Sequence, residues 1–151
     1  ASITFFEKAK KLNPNSSQVY FNLALAFNKK KERNLAIENF QKVIELEPEN
    51  AMAFFNIGTI YNDILNTNKA EEYLIKSLDL KPNFVLAYNN LFNLYDRSNQ
   101  LEKYGKLLDK AHTKRALIIF FFQNLSFFSN SLKTFLMAFL KSEFFPPHLA
   151  E

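Results

Sequence analysis

The chain has 151 residues, 48% of them hydrophobic, which suffices for about one folded domain with a sizeable core. Two Gly, no Cys, no Trp and two His exclude glycine-rich phosphate loops, dinucleotide fingerprints, zinc knuckles, thiol nucleophiles and disulfide frameworks. Nineteen basic against fifteen acidic residues give +4 and a pI near 9.2. The two signs are interleaved, so a solvated mixed surface explains the balance and no nucleic-acid partner is expected.

Ala1 to Phe6 are not expected to be a signal peptide, since they supply no basic start followed by an apolar stretch. In residues 1–16, Ser2, Phe6 and Ala9 fit one helix that stops before Pro14. In residues 17–50 the set Tyr20, Leu23, Ala24 and Phe27 has spacings of 3, 1 and 3, one face of a helix over 17–30. Leu35, Ala36, Phe40 and Val43 mark a second helix over 34–46, and Pro48 ends it because proline cannot continue a helix and pushes the preceding residue out of the α region. Residues 51–84 repeat the plan: Phe54, Ile57, Gly58 and Tyr61 on a helix over 51–64, then Ala70, Leu74, Ser77 and Leu78 on one over 68–80, closed by Pro82. A further helix is expected over 85–98, carrying Tyr88, Leu91 and Tyr95. Nothing in the chain alternates with period two for long enough to suggest a strand.

Pro14, Pro48 and Pro82 are spaced by 34 residues, each inside a similar phrase: Lys11-Leu12-Asn13-Pro14-Asn15, Glu45-Leu46-Glu47-Pro48-Glu49 and Asp79-Leu80-Lys81-Pro82-Asn83. Asn22, Asn56 and Asn90 recur at the same interval. These residues resemble the tetratricopeptide repeat, a helix-turn-helix unit of 34 residues with large, small and aromatic slots in this order and a closing Pro. The resemblance implies an all-α protein, a right-handed α-solenoid of helix-turn-helix repeats with a C-terminal apolar helical cap. Its organisation would be the second helix of a truncated repeat in 1–16, repeat one in 17–50, repeat two in 51–84, a degenerate repeat three in 85–115 and a Phe-rich helical cap or tail in 116–151. Repeat three departs from the pattern, with Phe92 and Tyr104 in the two small slots and Ala116 where Pro is expected. That pair should be spread wider or rotated. Entry at mid-repeat is what a piece of a longer array would show.

In this family the first helices line a concave surface that binds extended peptides or partner helices. By resemblance the groove positions here are Gln18, Phe21, Leu25 and Asn28; Met52, Phe55, Thr59 and Asn62; and Leu86, Asn89, Asn93 and Asp96. The alternative is that some of them only fill the interior of the superhelix. The Asn22, Asn56 and Asn90 ladder reads first as framework, although side-chain amides can also bind a peptide backbone. Chaperone-tail binders of the family clamp a terminal carboxylate with Lys and Arg, and the corresponding slots here hold Phe21, Leu25, Asn56, Leu86 and Asn90. No carboxylate-clamp chaperone tail is expected as a partner; a protein or peptide making apolar and amide contacts is.

Lys29-Lys30-Lys31-Glu32-Arg33 falls on the turn between the helices of repeat one and reads as a solvated turn, with a phosphate or anionic-lipid contact as the rival. His112 and His148 stand apart, so neither a metal nor a cofactor nor acid-base chemistry is expected. The run from Ala116 to Phe122 and the rest of 116–140 are too interrupted by amides, serines and Lys133 for a spanning helix, which needs about 20 apolar residues. A capping helix pair is the first reading, a membrane-associated segment the second, and an apolar tail left by a reading-frame slip the third. No stop signal separates Leu101 from Phe122, so one long helix and two remain equal alternatives there. The expected function is that of a protein-protein interaction scaffold, not an enzyme, in the cytoplasm. The rivals are an accessory region of a larger bacterial enzyme such as a sulfotransferase or glycosyltransferase, and a membrane-associated adaptor acting through 116–140.

Overall fold

The computed structural model describes residues 3–110, the last three by their backbone, and further on residues 130–131, 133–135 and 137–138. The expectations for the two histidines, and for 116–151 apart from those positions, lie outside the described residues. From residue 3 to residue 110 the chain forms seven helices: α1 (Ile3–Leu12), α2 (Ser17–Lys29), α3 (Arg33–Leu46), α4 (Ala51–Asp63), α5 (Thr67–Leu80), α6 (Val85–Arg97) and α7 (Leu101–Lys110). No strand occurs among the described residues. Pro14, Pro48 and Pro82 each stand two residues beyond a helix end, as the sequence predicts. None of the described helices is long and apolar enough to cross a membrane. Two compact units are distinguished, Ala1–Leu94 and Tyr95–Glu151, and the boundary falls inside α6.

In the first unit α2 packs along α3 and α4 along α5, with α1 against α2 and α3 against α4. The stripe that faces inward on each helix is the one with helical spacing. Leu23, Ala24 and Phe27 of α2 meet Ala36, Ile37, Phe40 and Val43 of α3 and Ala53, Ile57 and Ile60 of α4 in one buried cluster. At about 25 cal/mol per Å2 of apolar area removed from water, the Leu, Ile, Val and Phe side chains among them each contribute roughly 1.5 to 3 kcal/mol, and the alanines less. Ser77 is the buried polar residue of this region, and its hydroxyl donates to the Leu74 carbonyl at 2.7 Å. Helix α1 buries none of its residues fully, although Ile3 and Phe6 pack against the cluster.

The small slots do what their size implies. A Cβ added to Gly58 would lie 2.8 Å from Leu74 Cγ and 3.1 Å from the Leu74 backbone nitrogen, so α4 and α5 approach as closely as a hydrogen side chain permits. Phe92 and Tyr104, which fill the corresponding slots of the third repeat, are both fully buried, Phe92 in the first unit and Tyr104 in the second. In that second unit Tyr104 lies 6.5 Å from the Tyr95 ring and 5.6 Å from the Phe135 ring, centroid to centroid. Glu102 and Lys106 pair across one turn of α7 at 2.7 Å.

The turns inside the repeats share a device the sequence does not mark with glycine. Lys31, Leu65 and Asn99 have φ of 63°, 60° and 55°, and they are spaced by 34 residues. At each, the residue itself donates to a carbonyl three positions back and the next residue to one five positions back: Lys31 to Asn28 and Glu32 to Phe27, Leu65 to Asn62 and Asn66 to Tyr61, Asn99 to Asp96 and Gln100 to Tyr95. This pair of bonds satisfies the last carbonyls of the preceding helix through a left-handed residue, a position usually given to Gly. After the turn at Leu65, α5 starts on a side-chain cap, Asn66 accepting from the Lys69 N–H, and α4, which follows the loop between repeats, starts on another, Asn50 accepting from the Ala53 N–H.

Candidate functional site

Helices α2, α4 and α6 each turn one stripe into the core and leave another uncovered. On α2, Gln18 and Leu25 are exposed and Phe21 and Asn28 half-buried; on α4, Met52 is exposed and Phe55, Thr59 and Asn62 half-buried; on α6, Leu86 and Asn93 are exposed and Asn89 half-buried. None of the twelve expected groove residues is fully buried. Asp96 is exposed too, but it belongs to the second unit and is described apart from the rest. Of the aliphatic members, Leu25 and Met52 are each 41% exposed and Leu86 is 56% exposed.

Two of the aromatic members already have work inside the fold. Phe21 meets the buried Phe40 ring edge-on, centroids 5.3 Å apart, and Phe55 lies against Phe84 at 4.7 Å. The asparagine ladder is likewise engaged. Gln18 donates to Asn22, Asn56 to the Met52 carbonyl at 2.7 Å, and Asn90 of α6 to the Thr59 hydroxyl of α4 at 2.9 Å. Thr59 in turn donates to the Phe55 carbonyl at 2.9 Å, so the two helices are tied through one hydroxyl. These bonds give the ladder a framework role.

Three residues that the sequence reading passed over complete the site at its first junction. Ser17, Glu47 and Asn50 join Gln18, Phe21 and Met52 around a cleft of about 190 Å3. The Glu47 carboxylate accepts from the Ser17 hydroxyl through Oε1 and from the Asn50 amide, at 2.8 Å, through Oε2. The Ser17 hydroxyl first, and Asn50 second, hold its carboxyl below the usual carboxylate range. Residues 34 positions on from Glu47 and Asn50 are Lys81 and Phe84. That change of charge and size between two repeats of one register is the signal by which the cleft could have been found.

Lys29, Lys30 and Lys31 are exposed on the turn from α2 to α3. Among the described residues no group of three or more His, Asp or Glu side chains is placed to hold a metal ion.

Residues 17–50 match one model described as tetratricopeptide repeat, and residues 51–84 match a second of the same description. No curated protein matches the chain. Among solved structures the chain is similar to "Crystal structure of MamA protein", with 27% identity over 76% of this chain and 62% of that one at a TM-score of 0.67. It is similar to a second, "Crystal structure of MamA", with 27% identity over 76% of this chain and 67% of that one, TM-score 0.68. A third, "MamA 41-end from Desulfovibrio magneticus RS-1", is 23% identical over 76% of this chain and 65% of that one, TM-score 0.65, and bears on the fold alone. The chain thus spans less than two thirds of the first of these proteins.

Proposed function

We propose that the chain, in which residues 17–50 and 51–84 each match a tetratricopeptide repeat model, is a protein-interaction scaffold and that the uncovered face of α2, α4 and α6 in its first unit takes an extended peptide or a partner helix. The observation that carries this is that each first helix exposes one large aliphatic side chain, Leu25 by 41%, Met52 by 41% and Leu86 by 56%, with Met52 and Leu86 at the same slot of the register and Leu25 two turns further along its helix. Exposed apolar side chains on all three helices are what an apolar partner would bury. Asn28, Asn89 and Asn93 add amides able to donate to and accept from a peptide backbone. Apart from Asp96 the proposed positions are uncharged, so these contacts are of the apolar and amide kind and offer no clamp for a terminal carboxylate. We read the protein as non-catalytic, as proteins built of tetratricopeptide repeats generally are.

Peptides selected from a displayed random library against the full chain supply the test. Leu25→Ala, Leu86→Ala and Asn89→Ala are expected each to weaken binding by more than about 1 kcal/mol with the melting temperature unchanged. Phe21 and Phe55 are less suitable probes, because their rings pack on Phe40 and Phe84. Binding that survives all three substitutions, yet falls when Lys29, Lys30 and Lys31 are replaced, would move the site to the basic turn.

A further inference from the structure

The two repeat junctions of the first unit have corresponding walls with different contents. Ser17, Gln18, Phe21, Glu47, Asn50 and Met52 line the cleft at the first. At the second the residues 34 positions on are Ala51, Met52, Phe55, Lys81, Phe84 and Leu86. There Phe84 lies on Phe55 and is 5% exposed, so its ring is part of the core. Its counterpart Asn50 turns its amide back onto its own loop, accepting from the Ala53 N–H at 3.0 Å and donating to Glu47 at 2.8 Å. What a phenyl ring fills at one junction stands open at the other.

We propose that the cleft between Phe21, Met52 and Glu47 is an anchor pocket for a partner peptide, taking one large apolar side chain that is followed or preceded by a lysine or arginine. This rests on the reading of the uncovered face as a peptide site and names the chemistry of one end of the peptide. The volume of about 190 Å3 falls below the ~300 to 1,000 Å3 of small-molecule sites and suits a single side chain, the way interface anchors are usually seated. Phe21 and Met52 supply the apolar walls. Glu47 is the charged group of the lining, and its ionised form is the one that two hydrogen bonds from Ser17 and Asn50 favour. Charge complementarity therefore asks for a cation beside the apolar anchor. At the second junction the corresponding charge is reversed: Lys81 holds its ammonium 5.0 Å above the Phe84 ring. A basic residue is attracted at the first junction and repelled at the second, which orients the peptide with its basic end at the first.

The experiment uses peptides selected from a displayed random library against the full chain, with affinities read by fluorescence anisotropy at low and high salt. The expected selection is rich in Leu, Met or Phe adjacent to Lys or Arg. Glu47→Gln should weaken binding about threefold and flatten its salt dependence, as removal of one exposed charge pair does. Asn50→Phe, which puts the second junction's ring into the first, should weaken it more than about tenfold by occupying the anchor's place. Asn50→Phe also loses the cap on α4; if it does not fold, Glu47→Lys, which keeps the cap and presents to the peptide's cation a charge of its own sign, carries the same test. Peptides that lose affinity with Leu25→Ala and Leu86→Ala but are indifferent to Glu47→Gln, Asn50→Phe and Glu47→Lys would overturn the anchor pocket and leave the peptide face standing. Peptides indifferent to every one of these substitutions, or the selection of none, would overturn both.

Discussion

Repeats one and two carry the same 34-residue phrase and close their helix pairs with different volumes at the same two slots. In α4 and α5 the pair of slots is Gly58 and Leu74, where a single added carbon would meet Leu74 Cγ at 2.8 Å. In α2 and α3 the same slots hold Ala24 and Phe40, both fully buried. The aromatic slot then follows. Phe21 packs edge-on against Phe40 inside repeat one, whereas position 74 offers no ring and Phe55 packs on Phe84 at the next junction. Consensus positions are thus not independent: the choice at one buried slot decides whether a neighbouring ring is used within its own repeat or to bind the next.

The strongest way to break this comparison is to remove the ring on which repeat two depends. Phe84→Ala should destabilise the protein by about 3 kcal/mol or more, the usual cost of truncating a buried Phe. Asn50→Ala at the corresponding place should cost about 1 kcal/mol through the lost cap. Urea melts of the two variants check the ratio, and equal costs would mean that the junctions are equivalent after all. Next in size, Gly58→Leu should cost roughly 1 to 3 kcal/mol by overpacking. In Gly58→Ala with Leu74→Ala the two changes should couple favourably, because the second removes the atoms that the first would strike.

Smaller and opposite in sign is the expected effect at the turns. Leu65 is 69% exposed and sits at φ 60°, where an L side chain costs roughly 1 to 2 kcal/mol. Leu65→Gly should therefore raise stability, by less than that figure because glycine also gains entropy in the unfolded chain. Asn99→Gly should gain less, since asparagine tolerates the left-handed region. Thermal melts decide; a loss at Leu65 would show that its side chain contributes contacts beyond its backbone role.

The smallest effect belongs to Glu47. Its folded-state carboxyl titrates below the ordinary value of 4.5 because Ser17 and Asn50 bond the ionised form. Its contribution is therefore complete above that value and is lost as the pH falls through the lowered one. The group is exposed, so the difference between the native protein and Glu47→Gln should be slight at neutral pH and vanish in acid. Lys30→Ala, on the solvated turn, should move stability by less than about 0.5 kcal/mol at any pH.

Helix positions were legible because two strong signals coincide, the 3.6-residue spacing of apolar residues and a proline two positions after α1, α3 and α5. The side of each first helix that remains uncovered was legible through the repeat register, which puts Leu25, Thr59 and Asn93 at one slot whatever their chemistry. The left-handed turns escaped because Lys31 and Leu65 occupy positions where glycine would have announced them. The cleft escaped for a related reason: it arises from a difference between repeats, Asn50 against Phe84, and pattern matching looks for agreement. The unit boundary at Leu94 and Tyr95 has no signal either, falling within a helix and not at a linker rich in Pro, Gly or Ser.

Helix α1, with no residue fully buried, gives the array a soft edge that can be followed in time. Its amides are held by hydrogen bonds whose breaking exposes little apolar surface, so they should exchange with solvent through local fraying, well before those of α3 and α4. In a molecule whose helices rest mainly on their immediate neighbours, such opening travels inward one packed layer at a time. Deuterium uptake would then appear as a gradient from α1 to α4, with the unlabelled interval shortest at Ile3–Leu12.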